Sequence, residues 1–103
     1  MHDFTINEMQ DMQRTLQERY RHKWEPIGPL TGQNKLLWMI GEVGEVIDIV
    51  KKHGGEAACS NPALRSALVE ELADVLMYYN DVLLCYGISA DELKESYTKK
   101  FER

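Results

Sequence analysis

A surplus of cations, a set of paired cysteines and a long apolar run are all missing from this chain, and each absence removes a class of protein. Twelve Lys and Arg stand against 17 Asp and Glu, a formal charge of −5. With no excess of cations to displace phosphate counterions, a coat for nucleic acid polymer or for an anionic membrane is excluded. A small phosphorylated ligand stays open, provided that a metal ion bridges the like charges. No apolar stretch approaches the ~20 residues that cross a bilayer, and Met1-His2-Asp3 does not open a signal peptide. Both absences predict a cytoplasmic protein without a membrane partner. Cys59 and Cys85 are the sole cysteines, too few for a disulfide framework and without the paired spacing of a zinc site. Strand-like alternation and internal repeats are absent too. The 103 residues read as one small domain over 1–103. A domain of this size buries only about two-thirds of its unfolded surface, so self-association is expected.

What is present is helical periodicity cut by glycine and proline into four segments. Thr5-Ile6-Asn7-Glu8 is a capping box, with Phe4 and Met9 placed as a hydrophobic staple. Met9, Met12, Leu16 and Tyr20 recur at helical spacing behind it and predict a helix to about His22. Trp24-Glu25-Pro26-Ile27-Gly28-Pro29 breaks it. A second helix is predicted from Thr31 or Gly32 to Lys51-Lys52-His53, where cations suit the helix dipole and Gly54-Gly55 supplies the stop. The third starts at Asn61-Pro62 and runs to Cys85 or Tyr86; the fourth opens on a second capping box, Ser89-Ala90-Asp91-Glu92. The chain is expected to be all-α, with an antiparallel central helix pair.

Both central helices carry acids inside apolar runs. In Leu36-Leu37-Trp38-Met39-Ile40-Gly41-Glu42-Val43-Gly44-Glu45-Val46-Ile47, only Glu42 and Glu45 ionise, and their i,i+3 spacing puts both on one face. The opposite stripe, Leu36, Ile40, Val43, Ile47 and Val50, is expected to pack a core. Glu71 and Asp74 repeat the spacing in Ala67-Leu68-Val69-Glu70-Glu71-Leu72-Ala73-Asp74-Val75-Leu76. One such pair alone reads as a solvated face. Two embedded pairs on neighbouring helices bring together anions that are strongly unfavourable unless protonated or neutralised by cations. All-oxygen ligation suits Mg²⁺, with Mn²⁺ as a substitute, rather than zinc or di-iron. Gly41 and Gly44 each cost about 1 kcal/mol of helix propensity relative to Ala, which predicts close approach of another helix or a ligand at that point.

Gly41-Glu42-Val43-Gly44-Glu45, followed by Glu71-Leu72-Ala73-Asp74-Val75-Leu76, resembles the ExxE and ExxD signature of the MazG-like all-α nucleoside triphosphate pyrophosphohydrolases, related to dimeric dUTPases and dCTP pyrophosphatase. The similarity runs from the Trp24 region to the last helix. It implies that Glu42, Glu45, Glu71 and Asp74 bind Mg²⁺, and that the helices are completed by a partner subunit in a homodimer or homotetramer. It also implies hydrolysis of a nucleoside triphosphate at the α–β linkage to a monophosphate and pyrophosphate, with Glu42 or Glu45 orienting the water. A phosphoribosyl-ATP pyrophosphatase-like activity shares this chemistry and differs only in substrate.

Further residues border this constellation. Trp38, one turn before Glu42, and Tyr78, one turn after Asp74, either flank a base pocket or belong to the core, and Trp24 is a third such aromatic. Lys100 sits in the Lys-Phe pair that relatives use near phosphate, although a cation at a helix C-terminus is also expected for dipole reasons. Lys35 either reaches a phosphate or is solvated; Asp48 and Asp81 read as solvated acids, and Cys85 as a small buried hydrophobe. Relatives commonly carry Asn and Arg beyond Lys-Phe, whereas this sequence stops at Arg103. That departure favours the alternative reading, a non-catalytic helical module that binds metal or nucleotide and regulates a partner.

Overall fold

Local start and stop signals set the helix boundaries. The computed structural model describes residues 2–103, which form α1 (Ile6–Arg19), α2 (Pro29–His53), α3 (Gly55–Ser60), α4 (Pro62–Cys85) and α5 (Ala90–Phe101), with no strand among them. Both capping boxes form: Thr5 caps the Glu8 amide while Glu8 accepts from the Thr5 amide, and Ser89 and Glu92 do the same for α5. Asn61 caps α4, its side-chain oxygen accepting from the amides of Ala63 and Leu64 at 3.0 and 3.2 Å.

Three boundaries differ from the sequence expectation, the first being that α1 ends at Arg19, capped at Tyr20, rather than at about His22. Pro29 opens α2 rather than ending the break, because its fixed φ and missing N–H are compatible with the first helical position. After Gly54, whose φ of +85° ends α2, the chain makes the additional short helix α3, which buries Ala58. A six-residue helix offers too little periodicity to show in the sequence.

α2 and α4 form the principal contact, and α1 packs on α4. The pair is antiparallel: Lys35 meets Asp81, Trp38 meets Tyr78, and Glu42 and Glu45 meet Glu71, so numbers fall along α4 as they rise along α2.

Which faces turn inward is a correction. α2 buries Thr31, Gly32 and Lys35, while Ile40 and Ile47 of the expected core stripe are 63% and 55% exposed. The face carrying the acids is the one applied to α4. Gly32 permits part of that approach, since a Cβ there would stand 2.6 Å from the Tyr86 ring, whereas Gly41 and Gly44 meet nothing within 4 Å. α1 is rotated likewise. It buries Gln10 and Gln13 and leaves Met12 exposed, because the glutamine amides find acceptors on the other side, the Ile88 carbonyl and Asp81. Among the described residues the buried apolar ones are Ala58, Val82, Leu83 and Cys85, a small core, and α5 buries none of its residues.

Candidate functional site

The antiparallel register brings one acidic pair against the other. Glu42 and Glu45 from α2 and Glu71 from α4 each place one carboxylate oxygen so that all three lie within 4.8 Å of one another. One oxygen of Glu42 and one of Glu71 are buried with no hydrogen-bond partner. Buried polar atoms are ordinarily satisfied, so these two oxygens are free to accept a cation. Hydrogen bonding open to the protonated Glu71 carboxyl, toward Glu45 and then Glu42, followed by burial and by the charge of both, pushes it up to about 7. Glu71 therefore keeps its proton to higher pH than an ordinary carboxyl when no cation is present. The donor set is all oxygen, as Mg²⁺ or Mn²⁺ requires, and the residues fit such an ion.

Asp74 lies one turn further along α4, outside that trio, and lines a neighbouring cavity of about 470 Å³. Trp24, Trp38 and Tyr78 line the same cavity. Trp38 and Tyr78 meet edge to face, with centroids 6.3 Å apart and planes at 61°. Trp24 is held from outside the helix pair. Tyr20 stacks on it at 4.8 Å, and the adjoining Glu25 accepts from Asn34 with its carboxylate and from Gln17 with its carbonyl. Burial, then the charges of Glu42, Asp81 and Asp74, push the Tyr78 hydroxyl up, so it stays a protonated donor at neutral pH. Lys100 is exposed on α5 and is not among the residues lining this cavity.

At the far end of the cavity Gln13 escaped the sequence reading, and Lys35 and Asp81 are paired in a way it did not show. Lys35 and Asp81 are paired at 3.2 Å with side chains only 6% and 7% exposed, and Gln13 donates to the other Asp81 oxygen at 2.8 Å. Asp81 is not solvated, contrary to expectation, and burial removes the solvated one of the two readings of Lys35. The signal lay in register: Lys35 stands one turn before Trp38, and Asp81 continues the Glu71–Asp74–Tyr78 line.

The family model of the MazG nucleotide pyrophosphohydrolase domain matches residues 30–103, from the start of α2 through α5. The chain belongs to the MazG nucleotide pyrophosphohydrolase family. No curated protein and no solved structure matches it. α1 and the loop carrying Trp24 lie outside the matched residues. Among the described residues no helix is long and apolar enough to cross a membrane.

Proposed function

We propose that this chain hydrolyses a nucleoside triphosphate between its α- and β-phosphates, releasing a nucleoside monophosphate and pyrophosphate, with Mg²⁺ held by Glu42, Glu45, Glu71 and Asp74. One observation carries the reading: carboxylates from two helices converge with buried oxygens lacking partners, directly beside an aromatic cavity. A cavity of about 470 Å³ falls within the range of small-molecule sites. A hard divalent ion, when bound, neutralises phosphate charge and acidifies coordinated water. The residues divide the remaining work. Glu42 or Glu45 orients a water and accepts its proton as the water oxygen bonds to the α-phosphorus and the bridging P–O bond breaks toward pyrophosphate. Trp38, Tyr78 and Trp24 receive the base on their faces and edges.

A second copy of the chain belongs to this proposal. Ile40, Ile47, Val69, Leu72 and Leu76 of α2 and α4, with Tyr97 and Phe101 of α5, are exposed. A small soluble chain seldom leaves that much apolar surface uncovered, and a homodimer or homotetramer would bury it.

The test is incubation with Mg²⁺ and a panel of ribo- and deoxynucleoside triphosphates, with products identified. Monophosphate and pyrophosphate are expected. Glu42→Gln and Asp74→Asn are each expected to abolish turnover while helical circular dichroism is retained. Binding of Mg²⁺ and nucleotide without turnover would instead indicate a regulatory module.

A further inference from the structure

The cavity does not end at its aromatic walls. At its far end the Lys35 ammonium lies 5.4 Å from the Trp24 ring centroid, 5.4 Å from that of Trp38 and 5.6 Å from that of Tyr78. Its one carboxylate partner is Asp81, at 3.2 Å, and the second Asp81 oxygen is held by Gln13. An ammonium has three N–H donors; one is spent on Asp81, and the remaining two have ring faces rather than protein acceptors around them. Lys35 and Asp81 together carry no net charge, so this recess has little pull on a phosphate anion. It suits a neutral flat group that stacks and offers a lone pair.

We propose that Lys35 is a specificity residue that reads the nucleobase, donating to a ring carbonyl, so that the site takes nucleotides of oxo-bases in preference to adenine. This rests on the pyrophosphohydrolase reading for the placement of the phosphates. Asp81 lies two turns beyond Asp74 on α4, about 10 Å at ~1.5 Å per residue, a span that a nucleoside covers from its phosphate to its base edge. Hypoxanthine and guanine present O6 beside N7, uracil and thymine present O4, and cytosine presents O2 beside N3, all acceptors for a lysine. On adenine the N1 and N7 acceptors each stand beside the N6 amino group, which would set donor against donor at the ammonium. Gln13 is a positioning residue: it fixes Asp81, which fixes Lys35. It comes from α1, outside the matched family domain, so this part of the recess is set by the chain's own N-terminal helix.

Inosine and adenosine differ at the 6-position, carbonyl against amino, and carry no phosphate. Quenching of tryptophan fluorescence by each reads the recess independently of turnover, because Trp24 and Trp38, the two tryptophans of the chain, both line it. Inosine is expected to bind roughly ten-fold more tightly than adenosine, since a site built to donate rejects the analogue lacking the acceptor. Lys35→Arg should keep the preference. The double substitution Lys35→Gln with Asp81→Asn, which leaves no lone buried charge, should erase it. Equal binding, adenosine preference or no quenching by either nucleoside in the unmodified protein overturns the proposal, as does a folded double variant that keeps the full preference. If the double variant does not fold, the unmodified protein and Lys35→Arg decide. Inosine preference in a protein that turns over no triphosphate would defeat the hydrolase reading and leave the base recess standing.

Discussion

Glu71 is where the acidic cluster reports on itself. Its carboxyl is raised from 4.5 to about 7, so between those values the folded chain holds a proton that the unfolded chain has released. The stability this contributes is present below pH 4.5 and lost as pH rises through about 7. The melting temperature of the metal-free protein is therefore expected to fall between pH 5 and pH 7.5. On the proposed metal binding, Mg²⁺ would take the place of this proton, so it should raise the melting temperature more at pH 7.5 than at pH 5, and titration near pH 6 should release about one proton per site. Calorimetry in buffers of different ionisation enthalpy measures that release. A melting temperature that rises with pH across this window would show that Glu71 does not hold that proton.

At the scale of the element, α2 is a long helix whose two faces have exchanged the roles that its apolar pattern suggests. Apolar periodicity shows which residues share a face, and it placed Glu42 and Glu45 together correctly. It does not say which face meets α4. That was decided by contacts distant in sequence, among them the Lys35–Asp81 pair and the tight passage of Tyr86 over Gly32, which hold this face against α4 despite the repulsion of its acids. Two glycines on one helix should then respond oppositely to Ala. Gly41 has open space around it, so Gly41→Ala is expected to stabilise the chain by about 0.5–1 kcal/mol. Gly32→Ala must displace the Tyr86 ring and should cost about 1 kcal/mol, the low end for overpacking, because that ring is partly exposed and can swing aside. Chemical denaturation of both variants gives the sign. A loss at Gly41 would place a second copy of the chain against that residue.

Seen as a whole, the molecule is a helix pair with α1 laid across one side and a terminal helix that buries none of its own residues. The four buried apolar side chains among the described residues are few for an independent fold, while the apolar stripe of α2 faces outward beside that of α4. Ile40→Asp, at a position 63% exposed in the single chain, should be nearly neutral for a monomer and should dissociate an oligomer built on that stripe. Light scattering after size-exclusion chromatography distinguishes the two. An unmodified protein that elutes as a monomer at tens of micromolar would refute the proposed oligomer.

The all-α class, both capping boxes, the Asn61 cap and the pairing of acids on one face of each central helix were legible in the residues, because each depends on neighbours within about four positions, one helical turn. The short α3, six residues and under two turns, was hidden because it is too short to show a period. Only the tertiary structure decided that Lys35 and Asp81 are buried partners and that Gln13 holds them. It alone set the apolar stripe of α2 outward and Asp74 on the cavity side of the cluster. Those outcomes depend on the register and rotation of α2 against α4, which are fixed by the sum of many contacts between residues far apart in sequence and by no local pattern.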